Sequence, residues 1–192
     1  MERIRDELFK LILSNHNERL KLLKESRMAD YFCRELSEVL DKVDDSFYEY
    51  INSLPKDIAS RLAYIFKGKY VKNILKNLKT DNKTISKTCI LENYYDYTVT
   101  DEYSMAKLIS IAGENTLDLL MLKKADTSLF ENIIKKGYCC SLKELAIKGD
   151  DIISLGFKGK DIGVILNKAL DYVLRNPDKN TKKELMDYLR GN

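Results

Sequence analysis

The amino-acid sequence predicts an all-α fold, and three observations lead to this prediction. Apolar residues recur at helical spacing, as in the series Ile4, Leu8, Leu11 and Ile12. Only two prolines and eight glycines interrupt such patterns. The one β-prone run, residues 94–99 (YYDYTV), is short and has no second strand to pair with. We therefore expect a multi-helix array.

Helix starts are predicted by a polar residue that is followed three positions later by Glu. In this arrangement each side chain can bond a free backbone N–H group of the first turn. The pattern occurs at Asn15/Glu18, Ser128/Glu131, Ser141/Glu144 and Thr181/Glu184.

Composition argues against several classes of protein. Charged residues make up 33% of the chain and interrupt each apolar run, so none reaches the roughly 18 residues that span a bilayer. The N-terminus has no apolar signal core. The four cysteines form no C-x-x-C pair. We expect a soluble, cytoplasmic protein with reduced thiols and no membrane partner.

Catalytic chemistry has few candidate residues. His16 is the only histidine and lies in a polar joint between two helix patterns. The pairs Asp44-Asp45 and Asp150-Asp151 are adjacent in sequence and point apart on a helix, which suits capping better than two-metal chemistry. We predict no catalytic residue, no metal site and no cofactor in this chain.

Charge is unevenly distributed. Residues 29–50 carry seven acidic and two basic side chains, a net charge of −5, whereas residues 56–87 carry nine basic and two acidic ones, a net charge of +7. A cationic stretch of this kind is a candidate contact surface for a polyanion.

A lysine ridge is predicted within this cationic stretch. On a helix of about 100° per residue, the apolar residues of segment 69–79 share one side. The lysines, which fall on the opposite side, are Lys69, Lys72, Lys76 and Lys79. Such a ridge can be a solvated face or a set of phosphate contacts.

A second basic motif precedes an apolar helix stripe that runs from Ile162 to Val173. Glycine lets a ligand approach the backbone, and lysines add charge to a helix start that already attracts anions. An equally open interpretation is a tight turn in which Gly163 permits close helix packing. The residues of this motif are Gly156, Lys158, Gly159, Lys160 and Gly163.

Three segments resemble bacterial class II CCA-adding enzymes, the tRNA nucleotidyltransferases of the poly(A) polymerase family. Residues 2–8 (ERIRDEL) are similar to the family's fifth motif, and residues 114–126 (ENTLDLLMLKKAD) to a body helix. Residues 142–163, together with the ending at 180–185 (NTKKEL), resemble the tail. The matches occur in the family's order and span most of the chain.

The resemblance implies neck helices at 1–28, a helical body at 29–136 and RNA-binding tail helices at 137–192. The body would keep the helical shape of a degenerate HD-type fold, without a metal. In such enzymes body and tail hold the acceptor arm of tRNA, while a head domain adds C and A using Mg²⁺, CTP and ATP. The neck residues Arg3, Arg5 and Glu7 would brace that head, or form helical ion pairs such as Arg3–Glu7.

The head motifs of the family do not occur in this sequence. The resemblance therefore implies either an excised fragment or a natural headless protein, whose partners would be tRNA and the missing nucleotidyltransferase head. The alternatives are a helical protein-interaction piece, such as a homodimer, and an independent phosphohydrolase. The acidic residues at 29–50 favour the first of these, because that surface would repel RNA.

Overall fold

The computed structural model describes residues 1–191, and within that range it contains helices and turns but no strand. The all-α prediction is confirmed. The β-prone run forms a turn at residues 94–96 and irregular backbone beyond it.

The chain divides into two compact units. The first unit comprises Met1–Tyr97 and Leu117–Ala125. The second comprises Thr98–Thr116 and the residues from Asp126 onward. The division into neck, body and tail that the family resemblance implies stays a prediction.

Nine helices of the described chain belong to the first unit; the first residue of the ninth helix, Thr116, is still assigned to the second unit. They are α1 (Glu2–Leu13), α2 (Leu20–Glu25), α3 (Ala29–Phe32), α4 (Arg34–Leu40), α5 (Asp45–Ser53), α6 (Ile58–Ile65), α7 (Val71–Asn77), α8 (Asn82–Asn93) and α10 (Thr116–Lys123). A 3-10 turn, Asn17–Arg19, joins α1 to α2.

The core of the first unit joins α1 to the helices that follow it. Leu8 and Ile12 of α1 are buried together with Leu36, Ile51 and other apolar side chains of α4 to α8. Burial removes apolar surface from water and is the main stabilising force of such a core. Of the four positions predicted for this helix face, Leu8 and Ile12 are buried, Leu11 is half-buried and Ile4 is exposed.

Arg61 of α6 is buried in this core, with only 1% of its surface exposed. Its guanidinium donates to the backbone oxygens of Ile12 at 2.6 Å and Ser14 at 2.8 Å, at the end of α1. It also donates to Leu54 at 2.9 Å and Pro55 at 3.1 Å, just after α5. Carbonyls at helix C-termini carry negative partial charge, so two helix ends hold this cation in place of a carboxylate.

Within residues 1–191, five helices belong to the second unit: α9 (Glu102–Ala112), α11 (Ser128–Lys136), α12 (Gly149–Ser154), α13 (Lys160–Arg175) and α14 (Lys182–Arg190). Helix α13 is the longest and contacts α9, α12 and α14. Its residues Ala169, Leu170, Val173 and Leu174 are buried. The N-terminal half of its predicted apolar stripe is only half-buried.

Asp171 ties α13 to α9 inside the second unit. Its carboxylate accepts from Tyr103 and Lys107 of α9, both at 2.9 Å, and from Arg175 at 3.1 Å. Burial alone would raise the pKa of Asp171, but these donors outweigh burial and lower it below its ordinary value. The aspartate is therefore ionised in the folded protein.

Of the four predicted capping patterns, that at Thr181 is confirmed, since its hydroxyl accepts from the N–H group of Glu184 and α14 begins there. The prediction at Asn15 is wrong, because the turn begins after His16. At Ser128 the cap lies one residue earlier, and the Asp126 carboxylate accepts from Ser128 instead. At Ser141 the Glu144 side chain closes a turn that no helix follows.

Candidate nucleic-acid interface

The turn between α12 and α13 is built by glycines in backbone conformations that other residues rarely adopt. Gly156 has φ +96° and Gly159 has φ +57°, so the chain reverses here at little steric cost. Gly159 is the N-cap residue of α13. The glycine–lysine motif therefore lies at a helix start, as the sequence predicted.

The start of α13 faces solvent. Lys158, Gly159, Lys160 and Gly163 are exposed, as is Gly156. No side chain within residues 1–191 caps the first turn of α13, whereas aspartates cap α5, α6, α8 and α9. Uncapped first-turn N–H groups and the helix dipole attract negative charge. Neither lysine forms an ion pair in the described part of the chain.

Gly163 does not serve helix packing. A Cβ atom at Gly163 would meet no atom within 4 Å, whereas one at Gly149 would lie 3.7 Å from the Ile162 side chain. The interpretation of Gly163 as a close-packing residue is therefore wrong, and α12 approaches α13 through Gly149. Nothing in residues 1–191 explains a glycine at this exposed helical position, where alanine would favour the helix.

The lysine ridge is less regular than predicted, because the helix is shorter than segment 69–79. Helix α7 begins after Gly68, whose φ is +72°, and ends before Lys79, whose φ is +58°. The Thr80 N–H group bonds the Leu75 carbonyl at 3.0 Å, a pattern that closes helix C-termini. Lys69 and Lys79 thus lie outside the helix, and the Arg5 guanidinium contacts the Lys79 carbonyl.

Acidic residues, most of them outside the stretch, pair with part of the cationic stretch. Lys69 pairs with Glu38 at 2.8 Å, and Lys67 pairs with Asp96 at 2.7 Å. Lys87 lies between Asp57 and Asp118, at 3.0 and 2.8 Å. Lys72, Lys76 and Lys79 are exposed and form no ion pair among the described residues. The ridge that remains available is these three lysines.

The three neck residues lie on α1, and two of them border an apolar groove of about 350 Å³ within the first unit. Arg3 and Glu7 line this groove together with Ile4, Met28 and Phe32. Glu7 pairs with Lys10 at 2.9 Å, so the predicted Arg3–Glu7 pair is wrong. Arg5 pairs with Asp6 at 2.7 Å.

One exposed aromatic residue was not predicted as functional. Tyr70 stands immediately before α7 with 87% of its surface exposed. It borders a cleft of about 290 Å³ whose other lining residues include Lys72, Asn73 and Asn93. The sequence signal was an aromatic residue between two lysines of the ridge, but its exposure depends on where α7 begins.

The residues considered for catalysis are placed as predicted. His16 is exposed in the joint after α1, with Nδ1 3.2 Å from Glu18. Asp44 caps α5, and Asp151 accepts from the Lys148 N–H group in the first turn of α12. Across residues 1–191, no group of three or more His, Cys, Asp or Glu side chains is placed to hold a metal ion.

Burial raises the pKa of Cys140 to about 12 and that of Cys33 to about 11, which disfavours the reactive thiolate.

Among the helices of residues 1–191, none is both long enough and apolar enough to span a membrane.

Comparison with protein families relates these surfaces to a known class. A model described as tRNA nucleotidyltransferase domain 2 matches residues 56–189, and one described as "Probable RNA and SrmB-binding site of polymerase A" matches residues 1–40. No curated protein and no solved structure matches the chain. The first match covers more than half of the 192 residues and includes both α7 and the start of α13. The chain therefore belongs to the tRNA nucleotidyltransferase family and represents an RNA-binding, C-terminal region of its CCA-adding and poly(A) polymerase branch.

Proposed function

We propose that this chain binds tRNA in the cytoplasm and positions the acceptor arm for CCA addition by a nucleotidyltransferase head. The family matches support RNA binding, and the observation that carries the proposal is the start of α13. This helix start is exposed, uncapped and flanked by Lys158 and Lys160. The Mg²⁺, CTP and ATP of the reaction would belong to the head, and this chain would contribute no cofactor.

The chemistry of RNA fits such a surface. Double-helical RNA is recognised mainly by its shape, its phosphates and its 2′-hydroxyls. N–H groups at a helix start can bond one phosphate while neighbouring lysines contact others. Gly163, which lies one turn further along α13 with open space beside it, would let a sugar–phosphate backbone approach the helix closely.

The lysines of the first unit would make phosphate contacts of their own. Lys72, Lys76 and Lys79 are exposed without ion pairs in the described chain, and can each approach a phosphate. Lys69 would contribute less, because Glu38 already holds its ammonium group. In the same proposal the neck is residues 1–28, where Arg3, Arg5 and Glu7 brace the head.

Titration of labelled tRNA by fluorescence anisotropy at two salt concentrations tests the proposal. Neutralised phosphates release counterions, so log K should fall linearly with log salt, with a slope of about −0.7 to −0.9 per phosphate contacted. Absence of binding at low salt would exclude a tRNA-binding role. Binding whose strength does not change with salt would exclude the phosphate contacts.

A second candidate function is protein contact, and the apolar groove beside α1 favours it. Ile4 and Met28 line the groove and are exposed, which is costly in water unless another surface covers them. Sedimentation velocity would show whether the chain forms a homodimer. A stable dimer without tRNA affinity would favour this function over the first.

A further inference from the structure

Tyr70 has no role in the fold that accounts for its position. Tyr70 is 87% exposed, and it precedes α7 without forming a side-chain cap. Tyr50 and Tyr64, in the same unit, stack on each other with ring centroids 4.5 Å apart and are half-buried. Because a solvent-exposed aromatic ring gains little from folding, Tyr70 is available to an external partner.

The surroundings of Tyr70 combine charge with hydrogen-bonding groups. The ring borders the 290 Å³ cleft, near the lower end of the volumes of about 300–1,000 Å³ usual for ligand pockets. Lys72 lines the cleft and forms no ion pair within residues 1–191. Asn73 and Asn93 offer amide groups that can both donate and accept hydrogen bonds.

A backbone contact holds one wall of the cleft in place. The Gly68 N–H group donates to Glu92, a residue of the cleft, at 3.1 Å. Lys69 also lines the cleft, but its ammonium group pairs with Glu38 at 2.8 Å. Lys72 is therefore the lysine of the cleft that is left for a phosphate.

We propose that Tyr70 and its cleft bind an unpaired nucleotide of RNA, with the base stacked on the Tyr70 ring and a flanking phosphate contacted by Lys72. Stacking of bases on aromatic rings beside lysines is how proteins hold single strands. A base inside a duplex cannot stack on the Tyr70 ring, because both of its faces are covered by the neighbouring bases of its strand. The inference rests on the proposed function only in taking RNA as the ligand.

The test compares a labelled single-stranded RNA of about 12 nucleotides without self-complementarity, long enough to cover one binding module, with a fully paired duplex of the same length. Tyr70→Ala should weaken single-strand binding by about fivefold, the lower end of the stacking contribution of one base. Tyr70→Phe, which keeps the ring, should bind like the wild type. Duplex affinity should stay unchanged in both variants.

Tyr31 provides a matched control, because it is 90% exposed and lies on α3, outside the lining of the cleft. Tyr31→Ala should leave single-strand binding unchanged. An equal loss in Tyr31→Ala and Tyr70→Ala would overturn the assignment to Tyr70. So would single-strand affinity that is undetectable in the wild type, or that Tyr70→Ala does not lower.

A spectroscopic readout separates stacking from a change in folding. The chain contains no tryptophan, so Tyr70→Trp introduces a single reporter. Its fluorescence should be quenched by the single strand and not by the duplex; equal quenching by both, or by neither, would contradict base stacking. Loss of tRNA binding on removal of Lys158 and Lys160 would report on the proposed function alone, so the two ideas can fail separately.

Discussion

In the first unit Arg61, Lys69 and Lys87 each contact acceptor groups of the fold, whereas Lys158 and Lys160 of the second unit have no ion-pair partner within residues 1–191. Arg61 is held by four backbone carbonyls, and Lys87 by two aspartates. At the start of α13 the lysines flank N–H groups that no side chain caps.

This difference shows that charge counted along a sequence does not equal charge available at a surface. Residues 56–87 carry the higher formal charge, but distant acids neutralise part of it. The glycine–lysine turn has fewer cations, yet all of them remain accessible. Cations of the first kind should therefore affect stability, and those of the second kind should affect ligand binding.

The largest effect is expected at Arg61. Arg61→Met should destabilise the protein by about 2–6 kcal/mol, because its hydrogen bonds to the Ile12 and Leu54 carbonyls are buried and each such carbonyl left without its donor costs roughly 1–3 kcal/mol. Urea unfolding followed by circular dichroism measures this change. The exposed Lys72→Met is the control and should stay within about 0.5 kcal/mol of the wild type. Similar losses in both variants would remove the distinction between buried and exposed cations.

The second prediction concerns Lys158 and Lys160. Replacing both with Gln should weaken tRNA binding by a few-fold to tens-fold, if each phosphate contact contributes on the order of 1 kcal/mol, and should flatten the salt dependence by about one contact per lysine. The melting temperature should not change. Anisotropy and thermal denaturation measure the two quantities.

Lys69→Gln is the matched control for that pair. Since Glu38 already neutralises Lys69 at 2.8 Å, its removal should alter tRNA binding less than Lys72→Gln does. If Lys69→Gln weakened tRNA binding more than the double replacement of Lys158 and Lys160, the claim that neutralised lysines contribute less to binding would be wrong.

The third prediction uses Gly163. Gly163→Ala should stabilise the chain by about 0.5–1 kcal/mol, because alanine is the better helix former and its methyl group meets open space. The same methyl group should weaken tRNA binding if the RNA backbone approaches this face. Greater stability combined with lower affinity supports a ligand-facing glycine; unchanged stability would show that our account of the position is wrong.

The smallest effect is expected from pH. The pKa of Asp171 is lowered from 3.8 by Lys107, Tyr103 and Arg175 against the opposing effect of burial. Its contribution to stability is therefore present above the ordinary pKa and is lost as the pH falls through the lower, folded-state value. Melting temperatures measured between neutral and acidic pH should fall less steeply in Asp171→Asn than in the wild type.

Sequence patterns predicted the helical class and the glycine–lysine turn because both depend on local chemistry. Thr181 and Asp44 cap their helices using only neighbouring atoms. The predictions that went wrong concern side chains with competing partners. Glu7 had Arg3 and Lys10 within one turn of helix, and its pairing with Lys10 could not be read from spacing alone.

The two ends of α7 are a second case in which local sequence patterns were not sufficient. Helical periodicity predicted a helix over the whole of segment 69–79, but left-handed backbone at Gly68 and Lys79 confines it to Val71–Asn77. A lysine in that conformation is uncommon. The contact between Arg5 and the Lys79 carbonyl joins residues far apart in sequence, so no local pattern could reveal it.

By itself the sequence determined the all-α class, the buried face of α1, the basic turn before α13 and the family resemblance. Each of these depends on residue type and on spacing within a few turns of helix. Only the tertiary structure decided which lysines are neutralised, that Gly163 faces open space, that Arg61 closes two helix ends and that Tyr70 is exposed. These properties depend on groups brought together from distant parts of the chain, and on which surfaces are left uncovered when the helices pack.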